Sequence, residues 1–232
     1  GYHLSETAEL YGWVSAQNRV AVSPGFFRRA LDDRNVIQIY PDGFLPKIAP
    51  EVNDLSGAFG SKWEWGEWAL DASLVAGYNS MNYTIKDTLN RSFCVNSKTQ
   101  YDAGGFDYAQ YVLNLSADRT YEVGLSSPLN VAVGIEARKE DYSIHAGEYE
   151  SWANGGVLLS SGSPTASGAQ VFPGFRPANE TSPSRTSYAA YADLEANITD
   201  ALLVSGAVRV ESYEDFGETV TGKLAARYDF NE

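Results

Sequence analysis

Alternation with a period of two, sustained over segments long enough to cross a bilayer, is what most narrows the folds open to this chain. From Pro128 to Ile144, Leu129, Val131, Val133, Ile135 and Ala137 fall on one face. Asn130, Ala132, Gly134, Glu136, Arg138 and Glu140 fall on the other. Successive strand residues point to opposite sides of a sheet, so this pattern specifies a strand with one apolar and one polar face. Ser187 to Ile198 repeats it, with Tyr188, Ala190, Ala192, Leu194, Ala196 and Ile198 opposing Ser187, Tyr191, Asp193, Glu195 and Asn197. Trp68 to Asn79 and Thr219 to Phe230 do the same. Weaker alternation marks Ala8 to Asn18, Asn53 to Lys62, Asp107 to Asp118 and Leu202 to Tyr213. The pattern predicts about eight strands of roughly 9 to 16 residues, enough for a tilted crossing.

The links between these strands alternate in length. Long segments, Asn18 to Asn53, Ser80 to Phe106 and His145 to Thr186, take turns with shorter ones at Trp63 to Glu67, Arg119 to Ser127 and Thr199-Asp200. The last link, Glu214 to Glu218, is of moderate length where the alternation calls for a long one. In an up-and-down meander alternate links share an end, so one end carries loops and the other turns. Outer-membrane barrels have that asymmetry, and a soluble sandwich has no reason for it.

Composition agrees and excludes other classes. Hydrophobic residues make up 44% of the 232, yet runs such as Ala201-Leu202-Leu203-Val204 fall far short of a membrane helix, which needs roughly 18 or more. Fifteen Tyr, five Trp and 21 Gly favour strands and turns. A net charge of −13 repels phosphate backbones, so no nucleic-acid partner is expected. One cysteine, Cys94, excludes an internal disulfide framework and a thiolate zinc site. The chain opens on Gly1 without the basic start and apolar run of a signal peptide, so a mature or internal segment is expected.

Several strings imitate chemistry. Asp215-Phe216-Gly217 spells a kinase metal-binding triplet without the glycine-rich loop or catalytic loop that gives it meaning, and reads as a hairpin turn. His3 and His145 are too isolated for a metal pair, and Asp32-Asp33 reads as a solvated loop. No nucleophile elbow, phosphate-binding loop or zinc-protease helix occurs. No cofactor, metal or catalytic residue is expected, and the chain is read as a non-enzyme.

The charges on the polar face carry more weight. Glu136, Arg138 and Glu140 share a face, as do Asp193 with Glu195, Arg209 with Glu211, and Lys223, Arg227 and Asp229. A small closed barrel or sandwich cannot bury so many charges without a heavy desolvation cost. A wide, wet or plugged lumen accommodates them, because opposite charges pair across strands. The other reading is the solvated face of an ordinary antiparallel sheet. Aromatics near strand ends (Tyr11, Trp13, Trp63, Trp65, Trp68, Tyr78, Tyr108, Tyr111, Tyr188, Tyr213, Tyr228 and Phe230) fit interfacial girdles, or the core of a soluble β protein.

Several strings resemble proteobacterial TonB-dependent receptors. Tyr40-Pro41-Asp42-Gly43-Phe44-Leu45-Pro46 followed by Asn53-Asp54, and Phe172-Pro173-Gly174-Phe175-Arg176-Pro177, are similar to loop segments of that family. Asp102-Ala103-Gly104-Gly105-Phe106 and Pro128-Leu129-Asn130-Val131-Ala132 fit it too. So do Tyr191 to Ala196, Glu211 to Gly217 and Gly222 to Tyr228, which resemble barrel strands and hairpins. All appear in the family's order, from about Ala8 to Phe230.

The resemblance implies an all-β, antiparallel up-and-down transmembrane barrel of about 22 strands around an N-terminal plug. No plug or TonB box is read in these residues, so the expectation is a partial barrel spanning residues 1–232. It implies the Gram-negative outer membrane, with its lipid and lipopolysaccharide as surroundings. It also implies coupling to the TonB complex through a plug, and import of a scarce ligand: a ferric siderophore, cobalamin, haem or oligosaccharide. Tyr40, Phe44, Trp152, Phe172, Phe175 and Arg176 are the candidate ligand contacts, since loops carry function. The ten charges named above are the candidate lumen lining. Two alternatives stay open: a small complete outer-membrane barrel acting as an adhesin or structural protein, and a soluble secreted β-sandwich.

Overall fold

The computed structural model describes residues 1–230. Strand β1 (Tyr2–Ser5) turns directly into β2 (Ala8–Val20). Three two-residue pieces, β3 (Ser23–Pro24), β4 (Arg28–Arg29) and β5 (Gly43–Phe44), lie in the first long link. The long strands follow: β6 (Lys47–Trp65), β7 (Trp68–Lys86), β8 (Tyr101–Tyr121), β9 (Leu129–Ala146), β10 (Ser184–Thr199), β11 (Leu202–Tyr213) and β12 (Gly217–Tyr228). Helical structure among the described residues is confined to the loops: α1 (Tyr149–Trp152) and 3-10 turns at Arg91–Asn96 and Pro177–Asn179. No helix is long and apolar enough to cross a membrane.

The sheet runs β1-β2-β6-β7-β8-β9-β10-β11-β12, with β3 beside β6, and every neighbouring pair is antiparallel. Sequential neighbours pair throughout, apart from the short pieces in the first link. Among the described residues β12 does not pair with β1 or β2, so the meander is an open, partial barrel wall. A sandwich would show two large sheets packed face to face. Here the second sheet is only the β4–β5 pair.

All eight expected strands are present, and Leu202–Tyr213 has the expected bounds. Most of the others differ by one to three residues at their turn ends, as where β6 ends at Trp65 rather than Lys62 and β12 at Tyr228 rather than Phe230, and by more at some loop ends. β6 starts at Lys47 rather than Asn53, β7 runs to Lys86 rather than Asn79, and β8 begins at Tyr101 rather than Asp107. These extensions pack against loops, so their residues do not alternate between lipid and polar surroundings. The moderate link is a tight one: Glu214 to Phe216 joins β11 to β12, with Gly217 at φ 91°. The kinase-like triplet is therefore the expected hairpin.

Register places one apolar row across eight strands: Leu10, Ser61, Ala72, Leu115, Ile135, Ala190, Val210 and Val220. The adjacent row on the other face is Tyr11, Gly60, Ser73, Asn114, Glu136, Ala189, Glu211 and Thr219. Tyr11 lies over Gly60 and Tyr191 over Gly134, each ring filling the space that the glycine leaves on the polar face. The apolar face has no protein cover: Leu113 is 57% exposed, Ile135 58% and Leu224 83%. A contiguous apolar surface of this extent is not stable in water and matches lipid. Trp63, Trp65 and Trp68 border it at the turn end, and Tyr78, Tyr111 and Tyr188 toward the loop end. The ten steps from Trp68 to Tyr78 rise roughly 33 Å along the strand, or about 25 Å at a tilt near 40°, the height of an outer-membrane apolar band.

The girdle reading needs one correction. Tyr11, Trp13, Tyr108 and Tyr213 fall on the polar face, where Tyr11 donates to Asp71 at 2.7 Å and Tyr108 donates to Glu140. Their position near strand ends signalled an interface, but register assigns them to the opposite side.

Candidate functional site: the loop cap and the polar face beneath it

The three long links meet at one end of the sheet and form a packed body. One of its two apolar cores joins Ile85, Tyr101 and Ala103 from the strand tips to Ala169 from the third loop, with Ile48, Tyr83, Val171 and Phe172 against them. The other joins Val36 and Phe44 of the first loop to Leu89 of the second, with Ile39, Tyr40 and Cys94 beside them.

Buried polar groups tie the loops to one another. The Asn90 amide, fully buried, donates to the carbonyls of Glu150 and Ala153 at 2.8 and 2.9 Å and accepts from Ser92. The Thr88 hydroxyl donates to the Gln170 carbonyl, and the Gln170 backbone N–H donates to the Leu89 carbonyl. Arg28, 7% exposed, donates to the Gln170 side chain and to the Phe26 carbonyl. Burial lowers the Arg28 guanidinium's pKa, and Arg34 nearby adds to the effect. Each such group would cost about 1–3 kcal/mol if left unpaired, so the pairing fixes the arrangement of the loops. At the surface Lys98 pairs with Glu148 at 2.6 Å, which raises the lysine's pKa. Asp32 receives the Arg34 side chain and backbone N–H, and Arg34 holds the carboxyl down at about 2.

The six candidate contacts occupy different environments. Phe44 is 4% exposed and stacks on Tyr40 at 4.8 Å; the Tyr40 hydroxyl donates to the Thr88 carbonyl. Both rings pack the loop, and burial raises the Tyr40 pKa. Trp152 packs edge-on against Tyr149, and its indole N–H donates to the Gly147 carbonyl. Phe172 and Phe175 are brought together at 5.7 Å, both against Tyr83, and Arg176 stands exposed beside them. Tyr83 and Tyr142 were not singled out in the sequence, and Phe106 appeared only as the end of the Ser80 to Phe106 link and of Asp102-Ala103-Gly104-Gly105-Phe106. Each continues the polar-face parity of its strand, β7, β8 or β9, toward the loop end, with Tyr83 at a register shift between Asn82 and Thr84.

On the polar face below, register collects nine of the ten named charges, from Glu136 and Arg138 across to Lys223 and Arg227. Asp229 follows the end of β12 and pairs with Arg227 at 3.2 Å. Arg209 bridges Glu136 and Glu211 at 3.1 and 2.9 Å, and Arg138 joins Glu136 at 2.8 Å. Glu140 accepts from Arg185 at 2.6 Å, so two of these contacts, Arg209 with Glu136 and Arg185 with Glu140, join neighbouring strands or span them. A separate cleft of about 520 Å³ lies at the turn end, lined by residues including Glu9, Lys62, Asp71 and Asp118. Among the described residues no cluster has the donors for a metal ion.

A family model described as "TonB dependent receptor-like, beta-barrel" matches residues 2–232. No curated protein and no solved structure matches the chain.

Proposed function

The chain belongs to the TonB-dependent receptor-like β-barrel family, and from that membership we propose that it forms wall and extracellular loops of an outer-membrane uptake receptor. Members of the family are outer-membrane receptors and transporters rather than enzymes. In this reading the apolar face meets lipid and lipopolysaccharide, and the cap meets the outside. The charges from Glu136 to Arg227 line the lumen around a plug, through which the TonB complex delivers energy for import. The observation that carries the reading is the segregation of all three long loops to one end, above an apolar band of bilayer height. Lumen charges and loop aromatics then have separate tasks. The charges hold strand register in a wet or plugged interior, and the cap presents a fixed surface to ligand.

Uptake tests it. Cells carrying the full-length protein should accumulate a ligand only when both that protein and TonB are present. Accumulation that survives loss of TonB would contradict energised import, and recovery of the intact protein in the soluble fraction would contradict the membrane wall.

A further inference from the structure

The cap contains two kinds of aromatic group. Phe44 and Tyr101 are buried, and Tyr40, half-buried, is stacked on Phe44. Tyr83, Phe106, Tyr142, Phe172 and Phe175 are only half-buried, although they form one connected cluster. Tyr83 lies 6.2 Å from Phe106, 5.1 Å from Phe172 and 6.3 Å from Phe175, and Phe106 lies 6.2 Å from Tyr142. The strand members share the parity of the polar face, so the cluster sits at the mouth of that face.

Backbone strain holds the loop's contribution in place. Val171, immediately before Phe172, has φ 77°, a conformation that a β-branched residue adopts only when its surroundings impose it. The surroundings here are the Arg28–Gln170 clamp and the close approach of Gly25, where any side chain would strike Val171.

From Tyr142 a row of cross-strand neighbours runs along the same face through Tyr108, Asn79, Asp54 and Gln17. Asn79 donates to Asp54 at 2.6 Å. Flat apolar rings next to planar amide and carboxylate groups suit a molecule with an apolar C–H face and an edge of hydroxyls. The charge pattern argues against an anionic chelate. The chain carries −13, Asp54 and Glu140 stand at the mouth, Arg185 is engaged by Glu140, and the exposed Arg176 beside the rings is a single cation against them.

We infer that the cluster of Tyr83, Phe106, Tyr142, Phe172 and Phe175 is a stacking subsite for a neutral oligosaccharide. The inference rests on the receptor reading and names its substrate class. The sugar's C–H face lies on the rings, and its hydroxyls reach the amide and carboxylate row.

Calorimetry on the full-length protein in outer-membrane vesicles tests it. The probes are linear neutral oligosaccharides of glucose, xylose or N-acetylglucosamine, with a ferric hydroxamate, a ferric catecholate and cobalamin for comparison. One oligosaccharide series should bind. Phe172→Leu and Phe175→Leu keep apolar volume but remove the flat face, and each should weaken binding by about tenfold, the scale of a stacking contact plus its buried area. Phe172→Trp should restore binding to within about twofold of wild type, and Arg176→Ala should cost less than either leucine variant. Binding of an iron chelate or cobalamin instead of any oligosaccharide would overturn the subsite while leaving the receptor reading intact. Oligosaccharide binding unchanged in both leucine variants would overturn it too. If no probe binds, the subsite falls, and if the cells also accumulate no ligand, haem included, through TonB, the receptor reading falls with it.

Discussion

The loop cap and the wall solve the same problem with different solvents. In the cap, Leu89, Ile85 and Ala103 are fully buried, and the polar groups among them, such as Asn90 and Ser92, find partners inside the protein. In the wall, Leu113, Ile135 and Leu224 stand more than half exposed, while Glu136, Arg138, Arg209 and Glu211 on the other face form one ion-paired group. The cap has the inside-out polarity of a water-soluble domain, and the wall has the reverse on its outer face. Stability in the wall therefore depends on lipid, whereas in the cap it depends on packing and satisfied hydrogen bonds.

The largest expected difference comes from placing a charge in each region. Leu113→Arg, near the middle of the apolar band, should destabilise the membrane-embedded protein by about 2–4 kcal/mol in urea titration from lipid vesicles. Leu31→Arg, on the 88% exposed loop position, should stay within about 0.5 kcal/mol. Equal effects at the two sites would erase the distinction.

Next is Asn90→Ala, which unpairs the Glu150 carbonyl and the Ser92 backbone N–H and leaves the Ala153 carbonyl only the Ser92 hydroxyl at 3.4 Å. Hydrogen exchange at Ala169 and Gln170 should report a loss of about 2–3 kcal/mol in the cap, while the β9–β10 amides keep their protection. A loss spread evenly through the wall would mean that the two regions unfold as one.

Smaller again is Arg209→Ala on the polar face. Glu136 keeps Arg138, so only about 1 kcal/mol should be lost, read as a modest fall in the temperature at which the band shifts on a denaturing gel.

The smallest effect is local and depends on pH. Asp32 titrates at about 2 in the folded cap, against about 3.9 in an unfolded chain. Its contribution is therefore complete above about pH 4 and is lost as pH falls toward about 2. Exchange at the Arg34 amide should quicken across that window in the wild type and be already fast in Asp32→Asn.

The wall was legible in the sequence because a bilayer imposes period two on every residue it touches. Strand bounds held where that constraint acts, as at Leu202–Tyr213, and failed where strands emerge into the cap, as at Lys47–Val52 and Thr84–Lys86. The polar-face charges were legible for the same reason. The cap was not, because its contacts join loops distant in sequence: Arg28 with Gln170, Tyr40 with Thr88, Asn90 with Ala153. No local pattern encodes those meetings. The phenylalanines of Phe172-Pro173-Gly174-Phe175 stood out as a string, but their partners Tyr83, Phe106 and Tyr142 were hidden in strand tips. Short pieces such as β1 and the β4–β5 hairpin were missed because they carry too few residues to show a period.

Orientation in the membrane tests the central claim most directly. In a Cys94→Ser background of the full-length protein, Ala178→Cys places a thiol on the exposed third loop, and Asp200→Cys places one in the opposite turn. A membrane-impermeant maleimide applied to intact cells should label position 178 at once and reach position 200 only after the outer membrane is opened. Labelling of position 200 in intact cells with position 178 protected would contradict the account.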